Sequence, residues 1–290
     1  VRRGPRLPGA EPRPLRHMAG CAKVMSIRKY RGSVINLIEV NHLVKQYGTF
    51  RAVNDLSFTV EPGQIYGFLG PNGAGKSTTM NIMTGYLSAT SGTVRIAGHE
   101  MLLEPEEAKR HIGYLPEIPP VYPDMTPREY LRFAGELKGV ARGKLEAEVE
   151  RVMELTGITS MHRRLIGNLS KGYRQRVGVS CALLGDPEVI ILDEPTVGLD
   201  PRQILDIRDL IRSLGGDHTV ILSSHILSEV SAVCDHVLIL SGGKLVAQGT
   251  PAELERLMRR SNRYHLLVQG TPEAVSAALL AAQKLGTVEV

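Results

Sequence analysis

A glycine-rich segment in the first third of the chain has the residue types and the spacing of a phosphate-binding loop. It satisfies the pattern G-x-x-x-x-G-K-[ST] with the run Gly70-Pro71-Asn72-Gly73-Ala74-Gly75-Lys76-Ser77-Thr78. The glycines let the backbone curl, so that consecutive N–H groups point at phosphate oxygens. We predict that this loop binds a nucleotide, that Lys76 reaches the β- and γ-phosphates, and that the Ser77 hydroxyl ligates Mg²⁺.

The segments on either side of the loop agree with this prediction. The apolar run Gln64–Leu69 precedes the loop as a strand, and a helical stretch, Lys76–Met83, follows it and is closed by Gly85. The N-terminus of that helix adds a partial positive charge where phosphates would bind. The alternative is a turn that merely joins strand to helix, but such a turn does not require every fixed position of the pattern.

Two acidic residues end a second apolar strand. The run Val189–Leu192 leads directly into Asp193 and Glu194. Asp193 offers the hard oxygen ligand that suits Mg²⁺. Glu194 is placed to orient the water that attacks the γ-phosphate, or to accept its proton. By themselves, acids after a strand are more often helix caps or solvated groups, but the phosphate-binding loop favours the metal and water roles.

Short apolar runs predict the sheet that carries both motifs. The runs are Gln64–Leu69, Val189–Leu192, Thr219–Leu222 and Val237–Leu240. Each is followed by a turn or a helical pattern, so we predict an α/β fold with a parallel sheet flanked by helices. Ahead of them, Leu56, Phe58 and Val60 alternate with polar residues, as in a half-buried strand.

Helical patterns dominate between the first two of these runs. The segment Thr126–Glu129 is a capping box with proline at the first helical position, and it predicts a helix toward Leu137. A second helix is predicted over about 144–156 and a third from Ser170. This stretch is large enough for a helical subdomain inserted into the α/β core.

The sequence changes character after Gly243. A short strand, Lys244–Gln248, and a helix, Pro251–Arg259, are predicted first. Strand, helix and strand patterns then follow in order over Tyr264–Val268, Pro272–Leu285 and Thr287–Val290. We predict a C-terminal accessory segment over 244–290, a small α/β appendage that stops on a strand as an incomplete unit would.

The segment Leu169–Arg176, which lies ahead of Asp193 and Glu194, completes a set of motifs that resembles the ATP-binding cassette (ABC) family over roughly residues 37–250. The resemblance implies a P-loop NTPase core over 33–243. This core would comprise a parallel sheet, an N-terminal antiparallel β subdomain and an inserted helical subdomain at about 118–181. The implied activity is the hydrolysis of ATP with Mg²⁺.

The resemblance assigns roles to single residues. Tyr47 matches the aromatic residue that stacks on adenine, although a tyrosine at a strand end is more often a packing residue. His225 matches the switch histidine that contacts the γ-phosphate and Glu194; by itself a histidine after a strand is usually structural. Glu194, His225 and Lys76 are the implied catalytic residues. Asp200 matches the D-loop and is also placed to cap the following helix.

Two motifs depart from the usual family pattern. Glu117 ends the run Gly113–Glu117 at the position where the family usually has a glutamine near Mg²⁺, so it is an implied metal ligand. Loops of this type resemble those of cassettes that serve ABC-2 export permeases. The second departure is in the signature segment, Leu169–Arg176, which has Lys171 in place of the first glycine of LSGGQ.

The signature segment nevertheless retains the residues implied to contact ATP. These are Ser170, Gly172 and Gln175. In the family this helix end faces the γ-phosphate held by another subunit, so two ATP molecules would be sandwiched between two cassettes. Ser170 is also placed to act as an ordinary helix N-cap, and both roles can hold together.

The resemblance also implies partners. They are a second ATP-binding subunit and a separate multi-pass permease, which would place the chain in the cytoplasm, peripheral to the membrane. The helical subdomain would receive the cytoplasmic loops of the permease, and the proline-rich segment Ile118–Asp124 is the predicted docking surface.

The charge distribution argues against a nucleic-acid partner. The 290 residues include 35 Lys/Arg and 30 Asp/Glu, but residues 1–32 hold nine of the bases and one of the acids, which leaves 26 bases against 29 acids elsewhere. A nucleic-acid binder concentrates positive charge on its folded surface. Residues 1–32 are predicted to be a disordered basic tail, or an upstream extension of a chain that begins at Met18 or Met25.

The composition favours a globular protein that neither spans a membrane nor depends on disulfides. With 42% hydrophobic and 22% charged residues the chain can form a sizeable core, yet no apolar run approaches the roughly 18–20 residues that cross a bilayer. Three cysteines, Cys21, Cys181 and Cys234, show no C-x-x-C spacing, which favours a reduced, cytosolic compartment.

Two other functions compete with the transporter interpretation. The first is an ABC-type ATPase that moves no substrate, such as a translation or DNA-repair factor. Such relatives tend to carry two cassettes, long coiled-coil insertions or zinc modules, and the sequence shows none of these. The second is a small P-loop kinase or GTPase, which would leave Ser170 and His225 without a role.

Overall fold

The computed structural model describes residues 36–260 together with Thr271, Glu273 and Val275. The predictions for 1–32 and for nearly all of 264–290 lie outside the described residues. The strands are β1 (Ile38–Tyr47), β2 (Phe50–Val60), β3 (Ile65–Leu69), β4 (Ser91–Ile96), β5 (His99–Glu100), β6 (Ile112–Leu115), β7 (Val189–Leu192), β8 (Thr219–Ser224), β9 (His236–Ser241) and β10 (Lys244–Gly249). The helices are α1 (Lys76–Met83), α2 (Pro105–Arg110), α3 (Pro127–Leu137), α4 (Arg142–Leu155), α5 (Lys171–Leu183), α6 (Pro201–Leu214), α7 (Leu227–Val233) and α8 (Pro251–Arg260).

The main sheet has six strands in the order β10-β9-β3-β8-β7-β6. All neighbouring strands are parallel except β10, which pairs antiparallel with β9. Strands β3, β7 and β8 are buried along their whole length, because a strand covered on both faces is a continuous apolar run. The predicted α/β fold and its four interior strands are confirmed.

The register of this sheet places the ends of several strands side by side. Leu115 pairs with Leu192, Leu192 with Leu222, and Leu69 with Ser224. The loops that follow β3, β6, β7 and β8 therefore emerge at the same edge, which is where ligands bind in open α/β sheets. Each of these loops carries at least one of the predicted site residues.

A second sheet has four antiparallel strands in the order β2-β1-β4-β5. In β2, Leu56, Phe58 and Val60 are buried while the residues between them are exposed, as the alternation predicted. Phe58 packs edge-on against Phe68 of β3, with ring centroids 5.3 Å apart. The core under this sheet is thus continuous with the main sheet, and the predicted antiparallel β subdomain is present.

Helices α3, α4 and α5 form the helical subdomain. The capping box of α3 is complete, because the Thr126 N–H donates to Oε2 of Glu129 at 2.8 Å and the Glu129 N–H donates to Oγ1 of Thr126 at 3.4 Å. Helix α4 begins at Arg142, slightly before the predicted start near residue 144. Buried apolar residues such as Leu131 and Leu145 join the three helices.

The predicted boundary after Gly243 divides a hairpin. Strand β10, assigned from sequence to the accessory segment, pairs with β9 as an edge strand of the main sheet. Gly242 and Gly243 form the turn with φ of 55° and 77°, which suits a two-residue hairpin. The residues of β10 alternate between exposed and partly buried, because an edge strand faces solvent. Its sequence is therefore less apolar than that of the interior strands. The predicted helix that follows is confirmed as α8.

Candidate active site

The loop between β3 and α1 has no room for a side chain at two of its glycines. A Cβ on Gly70 would lie 2.4 Å from the carbonyl oxygen of Leu240, and one on Gly75 would lie 2.6 Å from that of Ala52. Gly75 is the N-cap of α1 with a φ of 99°, a conformation that favours glycine. It offers no side-chain cap, so the first N–H groups of α1 remain available to a phosphate.

This loop forms one wall of a cleft of about 330 Å³. Residues from the loops after β6, β7 and β8 form the other wall. The cleft is lined by Asn72, Gly73, Ala74, Gly75, Lys76, Ser77, Thr78, Glu117, Glu194, Val197 and His225. The structure therefore brings most of the predicted phosphate-binding loop together with Glu117, Glu194 and His225, as the parallel register requires.

Lys76 is held inside the cleft by three oxygen partners, of which the carbonyl oxygen of Pro71 is the most distant, at 3.4 Å. Its side chain is 5% exposed, and Nζ lies 3.3 Å from Oε1 of Glu194. The same ammonium group donates to the carbonyl oxygen of Gly70 at 2.7 Å. A buried ammonium group with a buried carboxylate partner is electrostatically satisfied, so a phosphate that enters the cleft competes with Glu194 for Lys76.

Asp193 and Ser77 place two hard oxygens together. Oδ1 of Asp193 accepts hydrogen bonds from Ser77 Oγ at 3.3 Å and from Ser223 Oγ at 2.6 Å. These oxygens fit Mg²⁺, which uses few protein ligands and keeps waters and substrate phosphates. In the described part of the chain, no cluster of three His, Cys, Asp or Glu side chains could hold a metal ion, so a metal here would depend on such additional ligands. Glu117 lines the same cleft as Ser77.

Glu194 has a strained backbone and three fixed contacts. Its φ is 46°, a left-handed conformation that costs a non-glycine residue about 1–2 kcal/mol. The Glu194 N–H donates to Ser223 Oγ at 2.8 Å, and Oε2 lies 3.1 Å from Nδ1 of His225. Together with the Lys76 contact, these bonds fix a carboxylate that is nearly buried. Strain at a residue so firmly held is typical of a functional site.

Tyr114 of β6 lies behind the cleft. Its hydroxyl donates to Oδ1 of Asn81 in α1 at 3.0 Å and so ties the phosphate-binding helix to the neighbouring strand. Burial, and then the charge of Asp193, raise the pKa of Tyr114 to about 12. The hydroxyl therefore keeps its proton and its hydrogen bond over the ordinary pH range.

Tyr47 lies apart from the residues that line the cleft. It ends β1, is 48% exposed, and has Nζ of Lys45 at 5.2 Å from its ring centroid. An exposed ring with one cationic neighbour is free to stack on a base from its other face. Its proposed contact with adenine thus depends on how far a nucleotide extends from the phosphate loop.

The signature segment also lies outside the cleft lining. Ser170 is the exposed N-cap of α5, and its Oγ accepts a hydrogen bond from the Tyr173 N–H at 3.4 Å. Gly172 is covered by the side chain of Gln203, which a Cβ at this position would approach to 2.7 Å. Gln175 is only 4% exposed, and its contact with a nucleotide held by a partner stays a prediction. Of the three residues implied to contact ATP, only Ser170 is exposed.

Sequence reasoning missed several polar residues that support the site. Ser223 bonds both Asp193 and the Glu194 backbone, while Thr196, Ser224 and Glu229 form a separate buried cluster. The only local signal was a pair of serines at the end of an apolar strand. The contacts of Ser223, and that between Thr196 and Glu229, join residues 29–33 positions apart, so the sequence could not show them.

Comparison with known proteins identifies the family. A family model described as ABC transporter matches residues 53–197. The chain is 39% identical over 230 residues to the bacitracin transport ATP-binding protein BcrA of Bacillus licheniformis, an alignment that covers 79% of this chain and 73% of that protein. The chain belongs to the ABC transporter family. Within this family it is an ATP-binding and ATP-hydrolysing subunit.

Two further similarities agree with this family. The linearmycin resistance ATP-binding protein LnrL of Bacillus subtilis (strain 168) is 33% identical, over 88% of this chain and 82% of that protein. A solved ATP-binding subunit of an ABC transporter superimposes with a TM-score of 0.69 and 28% identity, covering 86% of this chain and all of that one. None of the described helices is both long enough and apolar enough to cross a membrane.

Proposed function

We propose that this chain powers an ABC-2 type exporter, as one of two ATP-binding subunits that act with a separate permease on the cytoplasmic face of the membrane. The observation that carries this proposal is the convergence of Lys76, Glu194 and His225 on one cleft. Transport is supported by BcrA and LnrL, which are named for bacitracin transport and linearmycin resistance. The export branch is supported by the loop Gly113–Glu117.

Hydrolysis begins with a change of partner at Lys76. The γ-phosphate of ATP takes the ammonium group from Glu194, and the N–H groups of the loop and of α1 bind the remaining phosphate oxygens. Ser77 and Asp193 would hold Mg²⁺, which when bound would neutralise charge on the phosphates. The exchange releases Oε1 of Glu194.

Glu194 then acts on the attacking water. Its free oxygen orients the water or accepts its proton. The hydrogen bond from Nδ1 of His225 to Oε2 holds the carboxylate in place, and the fixed backbone at Glu194 limits its movement. His225 itself is 44% exposed, so it can contact the γ-phosphate at the mouth of the cleft.

A second subunit completes the site. Ser170, on the exposed end of α5, lies outside the cleft of its own chain, and a hydroxyl at a helix N-terminus is suited to a phosphate held by a partner. Each chain thus contributes the cleft to one ATP and Ser170 with Gly172 to the other. Turnover per chain should rise with protein concentration in the range where dimers form. A constant rate down to concentrations at which scattering shows only monomers would instead indicate a monomeric switch.

The permease is proposed to dock beside Glu117. In the segment Ile118–Asp124, Ile118 is 81% exposed and Tyr122 is 49% exposed, with Tyr122 packed against Phe133 at 5.8 Å between ring centroids. These exposed apolar side chains immediately follow the cleft residue Glu117, so movement of the docked loop can reach the γ-phosphate region.

Co-purification with a co-expressed multi-pass permease tests this docking site. We expect Ile118→Asp to lose the complex because it places a charge in an apolar contact. Leu137→Asp is the matched control, since Leu137 is similarly exposed, at 73%, but lies at the far end of α3. Equal loss with both variants would place the interface elsewhere or show non-specific adhesion.

A further inference from the structure

The carboxylate of Glu229 lies at the centre of a buried polar cluster. Glu229 belongs to α7 and is 8% exposed. Its Oε2 accepts a hydrogen bond from Thr196 Oγ1 at 2.6 Å and another from Ser224 Oγ at 3.2 Å. A buried carboxylate is costly unless such partners satisfy it, so the cluster stabilises one arrangement of the three residues.

Each of the two hydroxyls lies close in sequence to a candidate catalytic residue. Thr196 lies two residues after Glu194, and Ser224 directly precedes His225. The oxygen of Ser224 also accepts a hydrogen bond from the Ile226 N–H at 3.1 Å, which leaves its single proton for Glu229. One carboxylate oxygen therefore joins the loop after β7 to the end of β8, next to His225.

The other carboxylate oxygen faces a third element. Nη2 of Arg208, in α6, lies 3.9 Å from Oε1 of Glu229. Arg208 is largely buried and, among the described residues, its Nε has no hydrogen-bond partner. The guanidinium group thus supplies charge to the cluster, and Glu229 is held at both oxygens.

We propose that Glu229 is a positioning residue for ATP hydrolysis, whose carboxylate holds the Glu194 loop against the His225 loop. In doing so it maintains the 3.1 Å contact between Oε2 of Glu194 and Nδ1 of His225. The backbone at Glu194, with its φ of 46°, requires such external support. The inference rests on the catalytic roles proposed above for Glu194 and His225.

Among the described residues, Glu229 makes its side-chain hydrogen bonds and its ion pair with Thr196, Ser224 and Arg208, and none of these lies in the phosphate-binding loop. Removing its charge should therefore affect the chemical step and leave nucleotide binding intact. For Glu229→Gln we expect kcat to fall by up to about 100-fold, the size of effect that a displacement of about 1 Å produces. The KM for ATP and the affinity for a non-hydrolysable analogue should stay at their wild-type values.

Two variants of Thr196 separate the hydrogen bond from packing. Thr196→Val removes the hydroxyl with little change of shape and should lower kcat as Glu229→Gln does. Thr196→Ser retains the hydroxyl and should retain most of the turnover. The double variant Thr196→Val/Glu229→Gln should be no slower than the slower single variant, because both changes break the same bond.

Glu148→Gln is the matched control. Glu148 is also a largely buried glutamate, bonded to Arg151 and to the Gly185 N–H, but it lies in the helical subdomain. Glu148→Gln should lower the Tm without lowering kcat. This result would show that losing the charge of a buried glutamate away from the site affects stability and not turnover.

The outcomes separate this inference from the proposed function. Wild-type kcat in Glu229→Gln, with Glu194→Gln inactive, would overturn the positioning role and leave the catalytic assignment intact. Wild-type kcat in both Glu194→Gln and His225→Ala would overturn both. Should Glu229→Gln fail to fold, the two Thr196 variants decide the matter, since equal losses in Thr196→Val and Thr196→Ser would show that packing rather than the hydroxyl matters.

Discussion

Two helices of this chain begin at segments expected to meet ATP, and their N-termini are built differently. Helix α1 follows Gly75, which offers no side-chain cap, and its first turn lies in a cleft with Lys76 and Glu194. Helix α5 follows Ser170, which caps it and faces solvent outside that cleft. The first N-terminus leaves its N–H groups for a ligand bound by the same chain. The second is capped by Ser170 and lies outside that cleft, which fits the proposal that it meets a nucleotide held by a partner.

The largest expected effect concerns the α1 cleft. We expect Glu194→Gln to lower kcat by about 100-fold or more, because it removes the general base or water-orienting group. ATP binding should persist, and dimers should accumulate with ATP in size-exclusion chromatography. Lys76→Ala should instead weaken nucleotide affinity in calorimetry. A Glu194→Gln protein that remains monomeric with ATP and turns over normally would contradict the assignment of the α1 cleft as the site of ATP hydrolysis.

A smaller effect is expected at the α5 N-terminus. Ser170→Ala should lower turnover at least about tenfold, because a hydrogen bond to a charged group contributes about 1.5–3 kcal/mol. Nucleotide binding to the isolated subunit should not change. Loss of the cap should also lower the free energy of unfolding by about 1 kcal/mol.

Thr126→Ala serves as the control for that cap. Thr126 caps α3 in the same helical subdomain, and its loss should lower stability by a similar amount without lowering turnover per folded chain. If Ser170→Ala and Thr126→Ala reduced turnover equally, Ser170 would be a helix cap only.

The smallest effect concerns the support behind the α1 cleft. The pKa of Tyr114 is raised from 10.0 to about 12 by burial and by Asp193. A pKa that is higher in the folded state stabilises the protein below pH 10 and loses this contribution as pH rises toward 12. Tyr114→Phe should therefore show a shallower loss of stability over this window, although it is less stable at pH 8 because the bond to Asn81 is gone. Denaturant titrations at pH 8 and pH 11 measure the difference, and parallel losses in the two proteins would contradict it.

Sequence reasoning predicted the parts of the site that depend on neighbouring residues. The phosphate-binding loop requires glycines at fixed positions, and the N-caps Thr126, Ser170 and Asp200 act on N–H groups three residues away. Patterns of this kind are complete within a few residues of sequence, so they were identified without a structure.

Other features depend on packing, which local patterns do not show. The burial of Gln175 follows from the position of α5 in the helical subdomain, which decides which of its faces is covered. The strand Lys244–Gln248 was predicted, but its pairing with β9 at the edge of the main sheet was not, because an edge strand is only partly buried and its sequence resembles that of an appendage.

The sequence by itself determined the family, the phosphate-binding loop and the apolar runs that form the strands around it, since these follow from local patterns. Only the tertiary structure decided which oxygens meet at the edge of the main sheet. Ser223 reaches Asp193, and Glu229 joins Thr196 to Ser224, because parallel pairing brings the ends of β7 and β8 side by side. Contacts between residues so distant in the chain arise from the sheet register, which no short stretch of sequence contains.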